Sequence, residues 1–420
     1  MRESFTSSLD ELRAEQLGRL RAHLPEVLES NPFWRDRLTD VGGWDDFERL
    51  PLVTKAELVR DQERRPPFGS NLTYAADRYV RLHQTSGTGG QRPLRWLDTA
   101  ESWDWWRRVW AESVYPPATV TPADRVFLAF SFGPFIGFWS AFGGAERLGA
   151  LVISGGAMTT EQRVRTLLDL DVTALLCTPT YALRLAETAQ ELGLDLAASS
   201  IRVTVHAGEP GASVPAVRST IEQALGARCF DHTGMTELGP TGASCQARDG
   251  VHLFEDEFIF EVLDGEGRAH PDGEGELVAT NLGRWGSPLF RYRTGDRVVL
   301  SREECPCGSP FVKAVGGVRG RVDDMFTVRG VNLYPVQVED VVRRYPAVQE
   351  FVIEHRRVRH LDEVTLLLEA GAALPLERLE ADLRQALGAR IGCRQVELGT
   401  LPRSELKARR LRRVVEEGSG

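Results

Sequence analysis

The sequence predicts an α/β protein: a large N-terminal part of layered α/β sheet, β-rich toward its end, followed by a small α+β domain. Three observations predict it. Short apolar runs at 126–130, 174–177 and 203–205 read as buried parallel strands, and helical stretches such as 161–170 and 214–224 separate them. Beyond about residue 255 the strands shorten and turn signals multiply. From residue 323 onward an α-β-β-α-β order begins afresh. The expected division is therefore 1–322 for the larger part, β-rich from about 255, and 323–420 for the smaller one.

In chain order, Ser8-x-x-Glu11 resembles a capping box, and Leu9, Leu12, Leu17, Leu20 and Leu24 follow at helical spacing until Pro25 interrupts. A strand-like run at 79–82 leads into Gln84-Thr85-Ser86-Gly87-Thr88-Gly89-Gly90-Gln91-Arg92-Pro93. Trp103, Trp106 and Trp110 share one helical face, which reads as core packing rather than a stacking surface. In the β-rich part, strands are expected at 258–262, 276–280 and 297–300, with turns at Asp272-Gly273 and Thr294-Gly295-Asp296. In the tail, helices are expected from Val336 to Arg344 and over 376–387. Strands are expected at 349–354 and 363–369, with a short one at 396–398.

A chain of 420 residues that is 42% hydrophobic can bury a large core. Its net charge of −9 argues against a nucleic-acid partner held by bulk electrostatics. No apolar run reaches membrane-spanning length, and Met1-Arg2-Glu3-Ser4 has no hydrophobic signal core, so a cytoplasmic location is expected. Six cysteines are too few for a disulfide scaffold of this size.

The residues that carry chemistry begin with the 84–93 loop. Its glycines let successive N–H groups converge, and hydroxyls lie beside them, a combination that holds phosphate oxygens. It lacks the spacing and the lysine of a Walker loop. Further stretches accompany it: Asp231-His232-Thr233-Gly234-Met235-Thr236-Glu237 after a strand-like run, Arg291-Tyr292-Arg293-Thr294-Gly295-Asp296, and Gly320-Arg321-Val322-Asp323-Asp324-Met325. Then come Val328-Arg329-Gly330-Val331-Asn332-Leu333-Tyr334-Pro335 and Pro402-Arg403-Ser404-Glu405-Leu406-Lys407. A glutamate beside a glycine turn after a strand suits a phosphate-bound Mg²⁺, and a turn aspartate can accept from ribose hydroxyls.

In this order the stretches resemble the adenylate-forming superfamily, and most of all its phenylacetate–CoA ligase-like branch. The segments 144–150 and Ala207-Gly208-Glu209-Pro210 share that resemblance, which runs from residue 8 to residue 412. It implies a two-step reaction, in which a carboxylate attacks the α-phosphate of Mg-ATP to give an acyl-adenylate and a thiol then takes the acyl group. It also implies roles. Thr85, Ser86, Gly87, Thr88, Gly89 and Gly90 would hold the β/γ-phosphates, and Glu237 would ligate Mg²⁺. Asp296 would grip the ribose, and Arg321 would add positive charge. Gly208, Glu209, Pro210, His232, Thr233 and Thr236 would complete the nucleotide site. Lys407 would reach the α-phosphate, carried by a small domain that swings about Asp323, and Arg329 and Gly330 would then face the thiol tunnel. Thr233 departs from the resemblance, standing where an aromatic residue usually lies against adenine. Gly89 departs too, where many relatives have threonine.

Cys245, His252, Cys305 and Cys307 provide three thiolates and an imidazole, a closed donor set for a structural zinc. Phe130, Ser131, Phe132, Gly133, Pro134, Phe135, Trp139, His206, Gly234, Met235 and Pro240 are the expected liners of the acyl pocket. The aromatic run suits a flat aryl acid. Three readings follow: an aryl-acid–CoA ligase, an aryl-acid adenylating enzyme that loads a carrier-protein phosphopantetheine, and a degenerate nucleotide binder. The expected partners are a small aromatic acid and either CoA or an acyl carrier protein, with a homodimer admitted.

Overall fold

The computed structural model describes residues 8–85, 92–328, 331–358, 361–403 and 410–414. The chain opens with α1 (Leu9–Ser30), whose N-cap Ser8 hydroxyl accepts from the Glu11 amide. Pro25 does not stop this helix, contrary to the sequence expectation. Proline frees the carbonyl four residues back, here that of Arg21, an exposed residue where solvent has access. Leu20, Leu24 and Val27, all at 0% exposure, anchor the helix on both sides of the proline. Two short helices follow, α2 (Trp44–Arg49) and α3 (Lys55–Arg64), the latter capped by Thr54 and Glu57.

β1 (Tyr79–Gln84) and β2 (Arg95–Thr99) form an antiparallel pair flanking the glycine-rich stretch. α4 (Ala100–Val109) comes next. Trp106 and Trp110 are buried and Trp103 packs against the same core, as the helical spacing predicts. The alternation then runs β3 (Arg125–Leu128), α5 (Ile136–Leu148), β4 (Leu151–Ser154), α6 (Thr160–Asp169), β5 (Ala174–Cys177), α7 (Pro179–Glu191), β6 (Val203–His206), α8 (Pro215–Leu225) and β7 (Arg228–Met235). Its strands lie parallel in the order β4-β3-β5-β6-β7.

The second half of the sheet is antiparallel. It contains β8 (Gly239–Ala243), β9 (Gly250–Leu253), β10 (Phe258–Leu263), β11 (Ala269–His270), β12 (Gly273–Asn281), β13 (Tyr292–Ser301), β14 (Lys313–Val315) and β15 (Gly320–Arg321). The two halves are one 13-stranded sheet. β7 is the seam: residues 228–231 pair in parallel with β6, and residues 232–235 pair antiparallel with β8. The loops leaving β3, β6 and β7 all exit at the carboxyl ends of the parallel strands, where open α/β sheets form their ligand crevices.

The remainder has its own sheet and core. β16 (Phe326–Val328) and β17 (Val331–Leu333) form a small hairpin before α9 (Pro335–Val342). β18 (Val348–Val358), β19 (Leu361–Ala370), α10 (Leu376–Leu387), β20 (Gly392–Val396) and β21 (Leu411–Val414) follow, with strand order β20-β19-β18-β21. Phe326, Phe351, Ile353, Leu368 and Leu383 belong to a buried cluster confined to this part of the chain. The last short strand lies earlier than 396–398, because its pairing with residues 365–369 of β19 uses Gly392–Val396. Among the described residues no helix is long and apolar enough to cross a membrane.

Candidate active site

The glycine-rich loop is closed at its neck. The Thr85 amide donates to the Leu94 carbonyl at 3.0 Å, and the Leu94 amide donates back to Thr85 Oγ1 at 3.1 Å. Ser86, Gly87, Thr88, Gly89 and Gly90 lie outside the described residues, as do Arg329, Gly330 and Lys407.

Glu237 sits just past the seam strand with only 5% of its surface exposed. Burying a carboxylate requires partners. Lys55, the first residue of α3, meets it at 3.0 Å, and the Tyr292 hydroxyl donates to it at 3.4 Å. Burial and the neighbouring carboxylate push the Tyr292 hydroxyl well above its ordinary value, so it stays a donor. The backbone beneath Glu237 is held separately. Arg284 Nη1 donates to the carbonyls of Thr236 (2.6 Å) and Glu237 (3.2 Å), while its other nitrogens grip both oxygens of Asp98 at 2.6 Å each. Both partners are fully buried, with the guanidinium 5.4 Å from the ring of Trp96 and 5.2 Å from that of Trp106. Burial alone would raise the Asp98 carboxyl, but the Arg284 guanidinium holds it below the usual carboxylate range.

Sequence reading missed Lys55, Asp98 and Arg284. Lys55 had a signal: only three lysines stand among 51 basic side chains, at 55, 313 and 407. A chain that uses arginine almost everywhere keeps lysine where a compact point charge serves better than a planar fork. The Asp98–Arg284 pair spans 186 residues, and no local pattern marks it.

Asp296 and Arg321 are neighbours by register, since β13 and β15 pair them directly. Arg321 Nη1 meets Asp296 Oδ1 at 3.2 Å and the Thr294 carbonyl at 3.2 Å, and its Nε donates to Asp323 at 3.0 Å. Gly295 makes this possible. It adopts φ +75°, and a Cβ there would come within 2.5 Å of the Arg321 guanidinium. Arg413 of β21 donates to the carbonyls of Asp323 (3.2 Å) and Met325 (2.9 Å), so β21 also touches the segment that follows Arg321.

The aromatic run after β3 forms one partly open cluster. Phe130 stacks on Phe138 at 3.8 Å, and Phe132 meets Trp139 edge-on at 4.9 Å. Trp139, 36% exposed, donates its indole N–H to the Gly133 carbonyl, and Phe135 caps the start of α5. Gly234 is exposed, with Thr233, Met235 and Thr236 half-buried beside it, while Pro240 is buried on β8. Gly208 is also exposed, Pro210 is half-buried, and Glu209 accepts from the Thr180 amide at the start of α7.

Two histidines face elsewhere than the sequence reading placed them. His206 is at 0% exposure, with its ring nitrogens against the Cys177 carbonyl and Thr204 Oγ1, so it packs inside the sheet rather than lining an open pocket. His232 alternates away from Thr233 along β7. Its ring lies 4.3 Å from Trp110 and is held by the Gly242 carbonyl, so it is not presented beside Thr233 in place of the missing aromatic. Burial pulls both imidazoles down to about 4, which keeps them neutral.

Cys245, His252, Cys305 and Cys307 are brought together from the β8–β9 loop, β9 and the β13–β14 loop, with all four ligand atoms within 4.8 Å of one another. Cys245 and Cys305 sulfurs are 3.6 Å apart, and Cys307 Sγ is 3.4 Å from His252 Nε2. Thiolates on one tetrahedral zinc at ~2.3 Å stand at about this separation. His252 turns Nδ1 to the Phe311 carbonyl at 2.9 Å, which fixes the tautomer that frees Nε2 for a metal. Burial, with the other two thiols adjacent, pushes Cys307 up to about 12. The donors fit a structural zinc.

Comparison with known proteins agrees with this geometry. The AMP-binding enzyme C-terminal domain model matches residues 330–413. Phenylacetate-coenzyme A ligase of Pseudomonas putida is 32% identical, over 96% of this chain and 94% of its own. The chain belongs to the phenylacetate–coenzyme A ligase family. It is an AMP-forming acid–CoA ligase by membership. Among solved structures, 2-hydroxyisobutyryl-CoA ligase in the postadenylation state, in complex with R3-HIB-AMP, superimposes with a TM-score of 0.91. It is 29% identical and covers 99% of this chain and 94% of its own. The same enzyme with 2-HIB-AMP and CoA in the thioesterification state gives 0.73, at 31% identity and 98% and 91% coverage. Coverage is almost unchanged, so the chain superimposes better on the first of these structures than on the second.

Proposed function

We propose that this ligase activates a small aromatic carboxylic acid with ATP, releasing pyrophosphate, and passes the acyl group to the thiol of coenzyme A. The observation that carries the reading is the convergence on Tyr292. Glu237 lies on its hydroxyl, and the Asp296–Arg321 pair is close enough to act on it electrostatically. Residues from just past the seam strand, from β13 and from β15 thus come together around one hydroxyl.

In this reading Thr85 and residues 86–90 hold the β/γ-phosphates through backbone N–H groups and hydroxyls. Glu237, paired with Lys55 at 3.0 Å, would hold Mg²⁺, which when bound would neutralise phosphate charge. Asp296 accepts from the ribose hydroxyls, and Arg321 pivots between that aspartate and the incoming nucleotide. Gly208–Pro210, Thr233 and Thr236 border the base and the anhydride. Lys407 stabilises the charge that develops as the carboxylate attacks the α-phosphate. Asp323 serves as the hinge between the 1–322 and 323–420 parts, and Arg329 and Gly330 serve the thiol step after rotation. Phe132, Phe135, Trp139, Gly133 and Met235 offer the aryl-binding wall, with Phe130 and Pro240 behind it. CoA is the acceptor in this reading because the curated relative is named for it. The four-donor Cys/His cluster would hold a structural zinc, whose chemistry would be structural rather than catalytic.

The test is pyrophosphate release across a panel of aryl acids, followed by mass analysis of the products formed with CoA. Release with phenylacetate or benzoate analogues and formation of the matching aryl-CoA is expected. No release with any carboxylate would overturn the reading, and adenylate without acyl-CoA would redirect it to a carrier protein.

A further inference from the structure

Buried carboxylates are uncommon, yet the small C-terminal sheet has two side by side. Glu350 of β18 and Glu369 of β19 are direct cross-strand partners, 4% and 0% exposed. Like charges placed opposite one another destabilise a sheet unless cations intervene. Glu339 of α9, 9% exposed, is a third acid on the same side. Three arginines alternate with them. Arg343 meets Glu339 at 3.4 Å, and Arg410 meets Glu339 at 3.5 Å and also pairs with Glu350. Arg403 reaches Glu350 at 3.9 Å and Glu369 at 3.2 Å. Arg410 is 7% exposed, with its guanidinium 4.3 Å from the Phe351 ring, and the Leu401 amide donates to Glu369.

The ladder serves one stretch of sequence. The chain leaves it at Arg403 and returns at Arg410, and both arginines meet the two oxygens of Glu350. Lys407 lies in the interval between them. We propose that Glu350 is a positioning residue for the adenylation step, tying to the sheet Arg403 and Arg410, the described residues on either side of Lys407 in the sequence. This rests on the reading of Lys407 as the adenylating lysine. The stem anchors do not touch substrate and act only through that side chain. A small displacement of a charge that must meet a transition state costs about 10²-fold in rate, which explains why two unfavourable carboxylates are tolerated here.

The experiment compares ATP–pyrophosphate exchange with thioesterification of supplied acyl-adenylate. The proteins are wild type, Glu350→Gln, Arg403→Gln, Lys407→Ala and the Glu350→Gln/Lys407→Ala double variant. Glu350→Gln should lower kcat for exchange about 10²-fold, leave the KM for the acid unchanged, and largely spare thioesterification. Arg403→Gln, at a partly exposed flank, should give a smaller loss of the same kind and carries the test alone if Glu350→Gln does not fold. The double variant should exchange no more slowly than Lys407→Ala, because both act through one group. Unchanged exchange in Glu350→Gln, equal loss of both half-reactions, or additive loss in the double variant overturns the proposal. Retained exchange in Lys407→Ala would instead sink the reading beneath it.

Discussion

The Cys/His cluster and the Glu237–Asp296 crevice hang on the same antiparallel half-sheet and are joined by β13, yet they are built in opposite ways. In the first, four donors face one another within 4.8 Å. No cationic side chain is among them, and the donor set fits a structural zinc. In the second, both carboxylates already have a cation, and each cation is partly exposed. Lys55 arrives from α3 with 38% of its side chain exposed, and Arg321 from β15 with 44%. Partners that exposed are only weakly committed by solvent-screened attraction, so the crevice can trade them for a nucleotide and its metal. A closed cluster stabilises; an exchangeable one can turn over.

Changes to either cluster should separate stability from chemistry. The largest effect is expected at the closed one. Cys305→Ser should lose the metal, measured as zinc content from about one per chain toward zero, and lower unfolding stability on the order of 5 kcal/mol. The molecules still folded should retain adenylation. Retained stability in a zinc-free variant would contradict the assignment. Arg284→Ala comes next, because it leaves Asp98 buried without its partner. A loss of about 3–5 kcal/mol by denaturant titration is expected, together with slower adenylation, since the Glu237 backbone loses its clamp.

Glu237→Gln should do the reverse of Cys305→Ser. Adenylation should fall about 10²-fold, or ~3 kcal/mol, with a higher Mg²⁺ requirement and an unchanged melting temperature. The smallest effect is on pH dependence. His206 and His232 sit near 4 when folded against an ordinary 6.5, so the unfolded chain takes up protons first. Their contribution to stability is full above pH 6.5 and is lost as pH falls toward 4. Asp231, buried beside Ser213 and raised to about 6, and Asp256, partly buried beside Glu257 and raised to about 7, act the other way, since their penalties are relieved as pH falls through those values. Thermal melts of an Asp231→Asn/Asp256→Asn variant should therefore lose more stability between pH 7 and 4.5 than the wild type. A variant that loses no more than the wild type would contradict this.

Much of this was legible in the residues. The apolar runs at 126, 174 and 203 became β3, β5 and β6, because buried parallel strands are apolar on both faces. The α-β-β-α-β tail also matched in order. Pro25 misled, because local propensity yields when buried leucines flank the break. β16, β17 and β21 were missed. The first two span three residues each, and β21 lies in a basic run that reads as a solvated face until Arg410 is seen buried. The Cys/His set was recoverable because metal donors are chemically distinctive even when 60 residues separate Cys245 from Cys305. Asp98, Arg284 and the Glu339–Glu350–Glu369 ladder were not, since charged residues in a sequence read as surface unless their partners across the fold are known.

The most direct test of the central claim is the pair of half-reactions in Lys407→Ala, run with an aryl acid that the wild-type enzyme turns over. The account predicts that ATP–pyrophosphate exchange falls about 10²–10³-fold while transfer from supplied aryl-adenylate to CoA stays near the wild-type rate. Exchange at the wild-type rate, or equal loss of both steps in a folded protein, would contradict it.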